Sequence, residues 1–339
     1  MRVTRETLIR IAKETAQERA YNDKDIIAAY LTGSLLGEEA ILGGTADIDL
    51  ILVHANKPQQ SREIVKLSPD FHLDIGHRSK SEFKSPRELR TDPWLGYEVY
   101  DPLLLYEREK FLEFVQAGVR GGFEFNQPAS VLQRCRKLHA HGRQIWFDLS
   151  NAHTEEPKTL NQFLKAVYHA VNAVAELSGP PLAERRLLMH FAARAEAAER
   201  PEIYTDLMKL LGVENLGKIN LEQGLIDWQN DFQAAAESGR ADARIHPARL
   251  KYYEKGIRTL LEGEVPAAAI WPLLQTWTLS ATVLPQEQRG SWRNLCMALG
   301  LSGEAFGQRL EELDQFLDAV EILLDDVAAA NGVEISPLL

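Results

Sequence analysis

The sequence predicts an α+β protein, with a small mixed-sheet domain over residues 1–107 followed by an all-helical domain over residues 108–339. Three observations carry that expectation. Strand-like apolar runs crowd the first third of the chain and vanish after it. The remainder is written in helical periodicity, punctuated by Pro and Gly. The length of 339 residues also exceeds what a single core usually organises.

Taken in order, Arg5 to Tyr21 reads as a helix, and Asp25-Ile-Ile-Ala-Ala-Tyr-Leu-Thr32 as the first strand. Leu35 to Leu42 reads as a short helix ended by Gly43-Gly44. Asp47 to His54 and Phe71 to His77 are the next two strands, and a weaker one lies within Tyr97 to Tyr106. Pro102 breaks that last run, which suits a sheet edge. Beyond residue 107, Pro128, Pro157, Gly179-Pro180-Pro181, Pro201, Pro247 and Pro285 separate helical segments. The last of these, Glu304 to Ala330, carries Leu313, Leu317, Val320 and Leu324 on one face, as core or as a homodimer seam. Val265 to Gln286 has no charged residue and is long enough to span a bilayer. Its Pro266, Pro272 and Gln275 would be costly in lipid, so a buried core helix is predicted.

Charge and cysteine usage narrow the function. Asp and Glu number 49 against 38 Lys and Arg, a formal net charge of −11. Such a chain lacks the cationic surplus that neutralising a phosphate backbone requires, so no nucleic-acid partner is expected. Cys135 and Cys296 have no C-x-x-C neighbour, which leaves a zinc site or redox dithiol without support. The opening segment MRVTRETLIRIAKETAQERA is charged throughout and lacks the apolar centre of a secretory signal. A cytoplasmic location with no membrane association is the expectation.

The chemistry concentrates at the strand ends of the first domain. Gly33 follows the first strand and lets backbone and ligand approach closely, having no Cβ. Ser34 stands where a helix N-cap would be, so its hydroxyl and the following amides suit phosphate oxygens. Asp47 and Asp49 lie two apart on a strand and therefore share a face. Two converging carboxylates repel unless a cation lies between them, and Mg²⁺ fits such a hard-oxygen pair. Taken alone, the D-x-D is equally well a strand cap beside a solvated carboxylate. Asp74 shifts the balance, as a charge alternating with the apolar Phe71, Leu73 and Ile75. Three carboxylates before a Gly-Ser turn suit two-metal phosphoryl or nucleotidyl transfer.

Leu31-Thr-Gly-Ser34 followed by Thr45-Ala-Asp47-Ile-Asp49-Leu-Ile-Leu-Val53 resembles the G-S…D-x-D signature of the DNA polymerase β-like nucleotidyltransferase superfamily, with Asp74 in the place of its third carboxylate. The match covers residues 31–75. The helical second half is similar in architecture to the small-molecule, aminoglycoside-type members. The resemblance implies a catalytic domain at 1–107 and a helical substrate-binding domain at 108–339. It also implies two Mg²⁺ ions on Asp47, Asp49 and Asp74, an NTP such as ATP held by Gly33 and Ser34, and a small-molecule acceptor. The alternative is a catalytically silent nucleotide sensor or interaction protein of the same fold. The Ser34-to-Asp47 stretch is longer than is usual in that family and carries Glu38 and Glu39 but no Lys or Arg. The triphosphate's counter-charge is therefore expected elsewhere, and Lys165 is the first candidate.

Lys165 opens a stripe with His169, Asn172 and Glu176 at helical spacing, which more often is a solvated face than a binding face. The basic run Arg134 to Arg143 either faces the triphosphate or lies beside an acidic partner helix. Arg185 to His190 resembles the R-x4-H element of HEPN ribonucleases, but Arg134 to His139 and Arg136 to His141 repeat the spacing by accident.

Overall fold

The structure, a computed structural model, describes residues 3–37, 39–123, 127–151 and 157–334. In chain order the first elements are α1 (Arg5–Asn22), β1 (Ile26–Thr32), β2 (Ala46–His54), β3 (Arg62–Lys66), β4 (Phe71–Ser79), α2 (Pro86–Arg90), α3 (Leu95–Tyr100), β5 (Leu103–Glu107) and α4 (Phe111–Arg120). The helices that follow are α5 (Pro128–Ser150), α6 (Pro157–Ala175), α7 (Leu187–Ala197), α8 (Glu202–Leu210), α9 (Leu221–Glu237), α10 (Leu250–Leu261), α11 (Ile270–Ala281), α12 (Gly290–Ala298) and α13 (Ala305–Ala330). The protein is thus α+β, a mixed five-stranded sheet followed by helices. It divides into two compact units: Met1–Glu124 with Ala248–Thr259, and Phe125–Pro247 with Leu260–Leu339.

The sheet of the first unit has the order β3-β4-β2-β1-β5. β2 and β4 run parallel, and the other neighbouring pairs are antiparallel. Both faces are covered, which is why β2 reads as a nearly continuous apolar run. Ile48, Leu50 and Leu52 pack under α1, whose Leu8, Ala12, Ala16 and Ala20 recur every fourth residue to form its buried stripe. Ile51 and Val53 point to the other face, against Leu89, Leu95, Val99, Leu112 and Val119 of α2, α3 and α4. The period of two then fixes where Asp47 and Asp49 project: on the α2–α4 side, at the strand's open end.

Four local expectations are corrected. Leu35 to Leu42 is not a helix: a single 3-10 turn covers Gly33–Leu36, and a bridge between Leu42 and Thr45 follows. Gly43 and Gly44, both at positive φ, make the reversal that a continued helix would have prevented. The run from Tyr97 to Tyr106 splits into α3 and the edge strand β5, with Pro102 between them. β3 was not anticipated, because its adjacent Ile64 and Val65 are flanked by charges and show no alternation. Finally, the segment Ala248–Thr259, expected in the helical half, belongs to the first unit. Its docking is specific: Lys255 pairs with Asp70 at 2.6 Å, and a Cβ on Gly43 would meet the Lys255 carbonyl oxygen at 2.5 Å.

In the second unit α13 packs on α5, α6 and α8. Its Leu313, Leu317, Val320 and Leu324 are buried there as core of the same unit. Part of the basic run on α5 is spent on α13: Arg136 pairs with Asp325 at 2.6 Å, Arg143 with Asp314, and the His139 ring meets the Leu317 carbonyl at 3.0 Å. Every residue of α11 is buried, as predicted, and its hydroxyls are satisfied one turn back, Thr276 on Pro272 and Ser280 on Thr276. Among the described residues no helix is long and apolar enough to cross a membrane. Only the start of the α6 stripe, at the exposed Lys165, is a solvated face. His169, Asn172 and Glu176 are buried, and Asn172 accepts the Leu182 amide at 2.6 Å. Glu176 stands 3.5 Å from the Arg134 guanidinium, with both side chains wholly enclosed.

Breaking such a buried pair by removing one member costs about 3–5 kcal/mol, whereas replacing both by apolar residues is often neutral. Arg134→Met should therefore lower the urea midpoint sharply, and adding Glu176→Leu should restore much of it. Additive losses in the double variant would show that the two charges do not depend on each other.

Candidate active site

Register builds the site. β2 and β4 place Asp47 opposite His72 and Asp49 opposite Asp74, and β1 brings Thr32 opposite Asp49. All three carboxylates share one face, and one oxygen from each lies within 4.8 Å of the others. Asp47 and Asp74 are buried, while Asp49 is half-buried.

Gly33 ends β1 directly against them. Its φ is +78°, and a Cβ there would lie 1.9 Å from Asp49 Oδ2. Glycine is needed twice over, for the left-handed backbone and for the carboxylate's room. Ser34 lies inside the 3-10 turn rather than at a helix N-cap, contrary to expectation; Thr32 holds the cap position. The turn is pinned from behind by Arg5, which donates to the Leu35 and Leu36 carbonyls at 2.5 and 3.1 Å. Ser34 Oγ is buried and has no hydrogen-bond partner among the described residues.

Two guanidiniums that sequence reasoning missed stand among the carboxylates. Arg62 of β3 faces Gly76, one step along the ladder from Asp74 and on the same face. It grips Asp74 with both arms, Nε reaching Oδ1 at 2.6 Å and Nη2 reaching Oδ2. Arg249 comes from the returning segment, where it lies 2.9 Å from Asp74 and 3.5 Å from Asp47. Its guanidinium carbon sits 5.5 Å and 5.4 Å from the ring centres of Tyr252 and Tyr253. The Tyr252 ring in turn meets His72 edge-on at 5.1 Å. No local signal marks Arg249, which lies 175 positions from Asp74. Arg62 was hidden because its strand was.

The charges shift one another. Burial holds the Asp49 carboxyl well above its usual pKa, Asp47 and Asp74 add to the rise, and Arg249 and Arg62 oppose it. Burial alone would lower the pKa of Arg249, but Tyr253, Asp74 and Asp47 outweigh that and raise it, so it stays charged.

The donor set suits a hard divalent cation: carboxylate oxygens, close-set, beside a turn that only glycine can make. Asp47 and Asp49 fit that role directly. Both oxygens of Asp74 are engaged by guanidiniums. Lys165 lies on α6 in the second unit with an exposed side chain, where, after burial and His141, its charge helps push His169 down to about 4. A concavity of about 460 Å³, lined by Lys57, His77 and Arg78 among others, contains none of the three carboxylates.

No family model matches the chain, and no curated protein matches it. Among solved structures it is similar to the nucleotidyltransferase-like protein from Exiguobacterium sibiricum 255-15, at 12% identity and a TM-score of 0.29, over 98% of this chain and 96% of that one.

The raised pKa of Asp49 has a consequence for stability. The folded protein binds this proton more tightly than the unfolded chain, whose Asp titrates near 3.9. Stability is therefore lost as pH rises from about 4 through the raised value. Asp49→Asn cannot ionise and escapes that loss. In chelated, metal-free buffer its Tm should exceed that of the parent at pH 8, with the gap closing toward pH 4. A gap that is constant with pH would mean that Asp49 titrates normally.

Proposed function

We propose that the chain is a Mg²⁺-dependent nucleotidyltransferase that moves a nucleoside monophosphate from an NTP, such as ATP, to a hydroxyl of a small-molecule acceptor. One observation carries the reading. Three carboxylates of two adjacent strands converge within 4.8 Å beside a Gly33 whose missing Cβ is what makes room for Asp49. The net charge of −11 argues for a small acceptor over a nucleic acid.

Transfer forms a bond between the acceptor oxygen and the α-phosphorus and breaks the bond from that phosphorus to the bridging oxygen, releasing pyrophosphate. Asp47 and Asp49 would hold Mg²⁺, which supplies Lewis-acid polarisation of the phosphate oxygens and lowers the pKa of the attacking hydroxyl. Ser34 Oγ, buried without a hydrogen-bond partner among the described residues, would donate to a phosphate oxygen beside the Gly33 turn. Asp74 is the carboxylate available to accept the acceptor's proton once its guanidiniums are drawn away.

A second reading, a nucleotide sensor without turnover, draws on the double engagement of Asp74. Pyrophosphate release from Mg·ATP, measured against a panel of amino sugars and polyols, separates the two. Asp47→Asn and Asp49→Asn should each cut release by more than about 100-fold, since even an outer-shell partner of a metal typically contributes 10–100-fold. Full rates in both variants would remove the metal site from the mechanism. ATP binding with no acceptor-dependent release would favour the sensor.

A further inference from the structure

We infer that Arg249 is an exchangeable counter-ion. In the ligand-free protein it occupies the carboxylate cluster, and a polyphosphate chain draws it off, freeing Asp74 and Asp47 for the cation that arrives with that chain. This rests on the nucleotidyltransferase reading and deepens it by naming the positive charge that meets the triphosphate.

The argument is geometric. Three carboxylates within 4.8 Å leave little room for both a cation and a guanidinium on the same oxygens. Arg249 sits on two of the three, 2.9 Å from Asp74 and 3.5 Å from Asp47. Its side chain is 6% exposed, yet its Nε is buried with no hydrogen-bond partner among the described residues. A guanidinium presents a planar fork of five donors, matched to phosphate as well as to carboxylate. Arg249 therefore holds unused donor capacity while its two terminal nitrogens sit on the carboxylates. A second orphan, Ser34 Oγ, lies on the Gly33 turn that borders the same carboxylates.

Charge explains why an exchange is needed. The segment from Ser34 to Asp47 brings no Lys or Arg, so a triphosphate entering beside Gly33 meets carboxylates first. Arg249 and Arg62 are the cations found on those carboxylates. Arg62 belongs to a sheet-edge strand and is 37% exposed, so its side chain has solvent to turn into. Arg249 is anchored by the docking of its own segment, Lys255 on Asp70 and the Lys255 carbonyl on Gly43. The anchored residue can turn from carboxylate to phosphate without leaving the site.

The test uses the full chain and two variants, Arg249→Met, which keeps much of the volume without the charge, and Arg249→Lys, which keeps the charge without the fork. Three probes are titrated: Mn²⁺ alone, followed by electron paramagnetic resonance, then ATP and tripolyphosphate, each with saturating Mn²⁺ and followed by calorimetry. Arg249→Met should bind Mn²⁺ alone about 10-fold more tightly, because its competitor is gone, and ATP about 10-fold more weakly, the loss expected for one charge-assisted contact. Arg249→Lys should show the same opposed signs, each smaller. A misfolded variant loses affinity for all probes, so opposed signs report the exchange itself. Unchanged affinities in both variants, or a loss of Mn²⁺ and ATP together in the well-folded Lys variant, would overturn the inference while leaving the nucleotidyltransferase reading standing. Tripolyphosphate bound as tightly as ATP, and lost equally on Arg249→Met, would keep the exchange and remove the nucleotide.

Discussion

Like charge is the constraint on which this protein's site is built. Three carboxylates brought within 4.8 Å by strand register cannot all ionise in a buried setting unless cations stand among them. The protein answers in two ways at once. Asp49 resists ionisation, through burial and through its two neighbours. Arg62 and Arg249 supply positive charge to Asp74, and Arg249 to Asp47 as well. Both answers are reversible, since a proton and a guanidinium can each give way to a divalent ion.

The rest of the first unit exists to hold that geometry. A parallel β2–β4 pair is what aligns Asp49 with Asp74 side by side, where a one-residue slip would turn one of them into the α1 core. Covering both sheet faces, with α1 on one and α2–α4 on the other, makes such a slip costly. The Gly33 turn closes against Asp49 so tightly that the side chain's position and the glycine's absence of one are a single feature. Thr45, wholly buried, ties the approach to β2 to the returning segment through the Tyr252 carbonyl at 3.4 Å.

Much of this was legible in the sequence, and the parts that were not share a cause. β1, β2 and β4 announce themselves because buried strands need continuous or alternating apolar residues. The carboxylates stand out because they interrupt that pattern. Gly33-Ser34 marks the turn because backbone at positive φ selects for glycine. The counter-charges carry no such mark. Arg62 sits on a five-residue edge strand whose sequence shows no period, and Arg249 arrives from 175 positions away. Long-range pairing of a charge with its partner leaves no trace in local spacing, which is also why Lys165 looked as good a candidate as any. The stripe on α6 failed for the opposite reason. Its polar residues do recur on one face, but Arg134 and the Leu182 amide reach them, so that face is core and not solvent.

The second unit supplies the comparison that separates a structural charge from a functional one. Arg134 and Glu176 are wholly enclosed and present no face to a ligand. Their arrangement can be satisfied once, in the folded chain, and has no reason to change. In the first unit Asp49 is half-buried and Arg62 is 37% exposed, so a ligand can reach the cluster. Excess carboxylate with guanidiniums set among it, open in part to solvent, is the arrangement on which the proposal of a metal-bound polyphosphate rests.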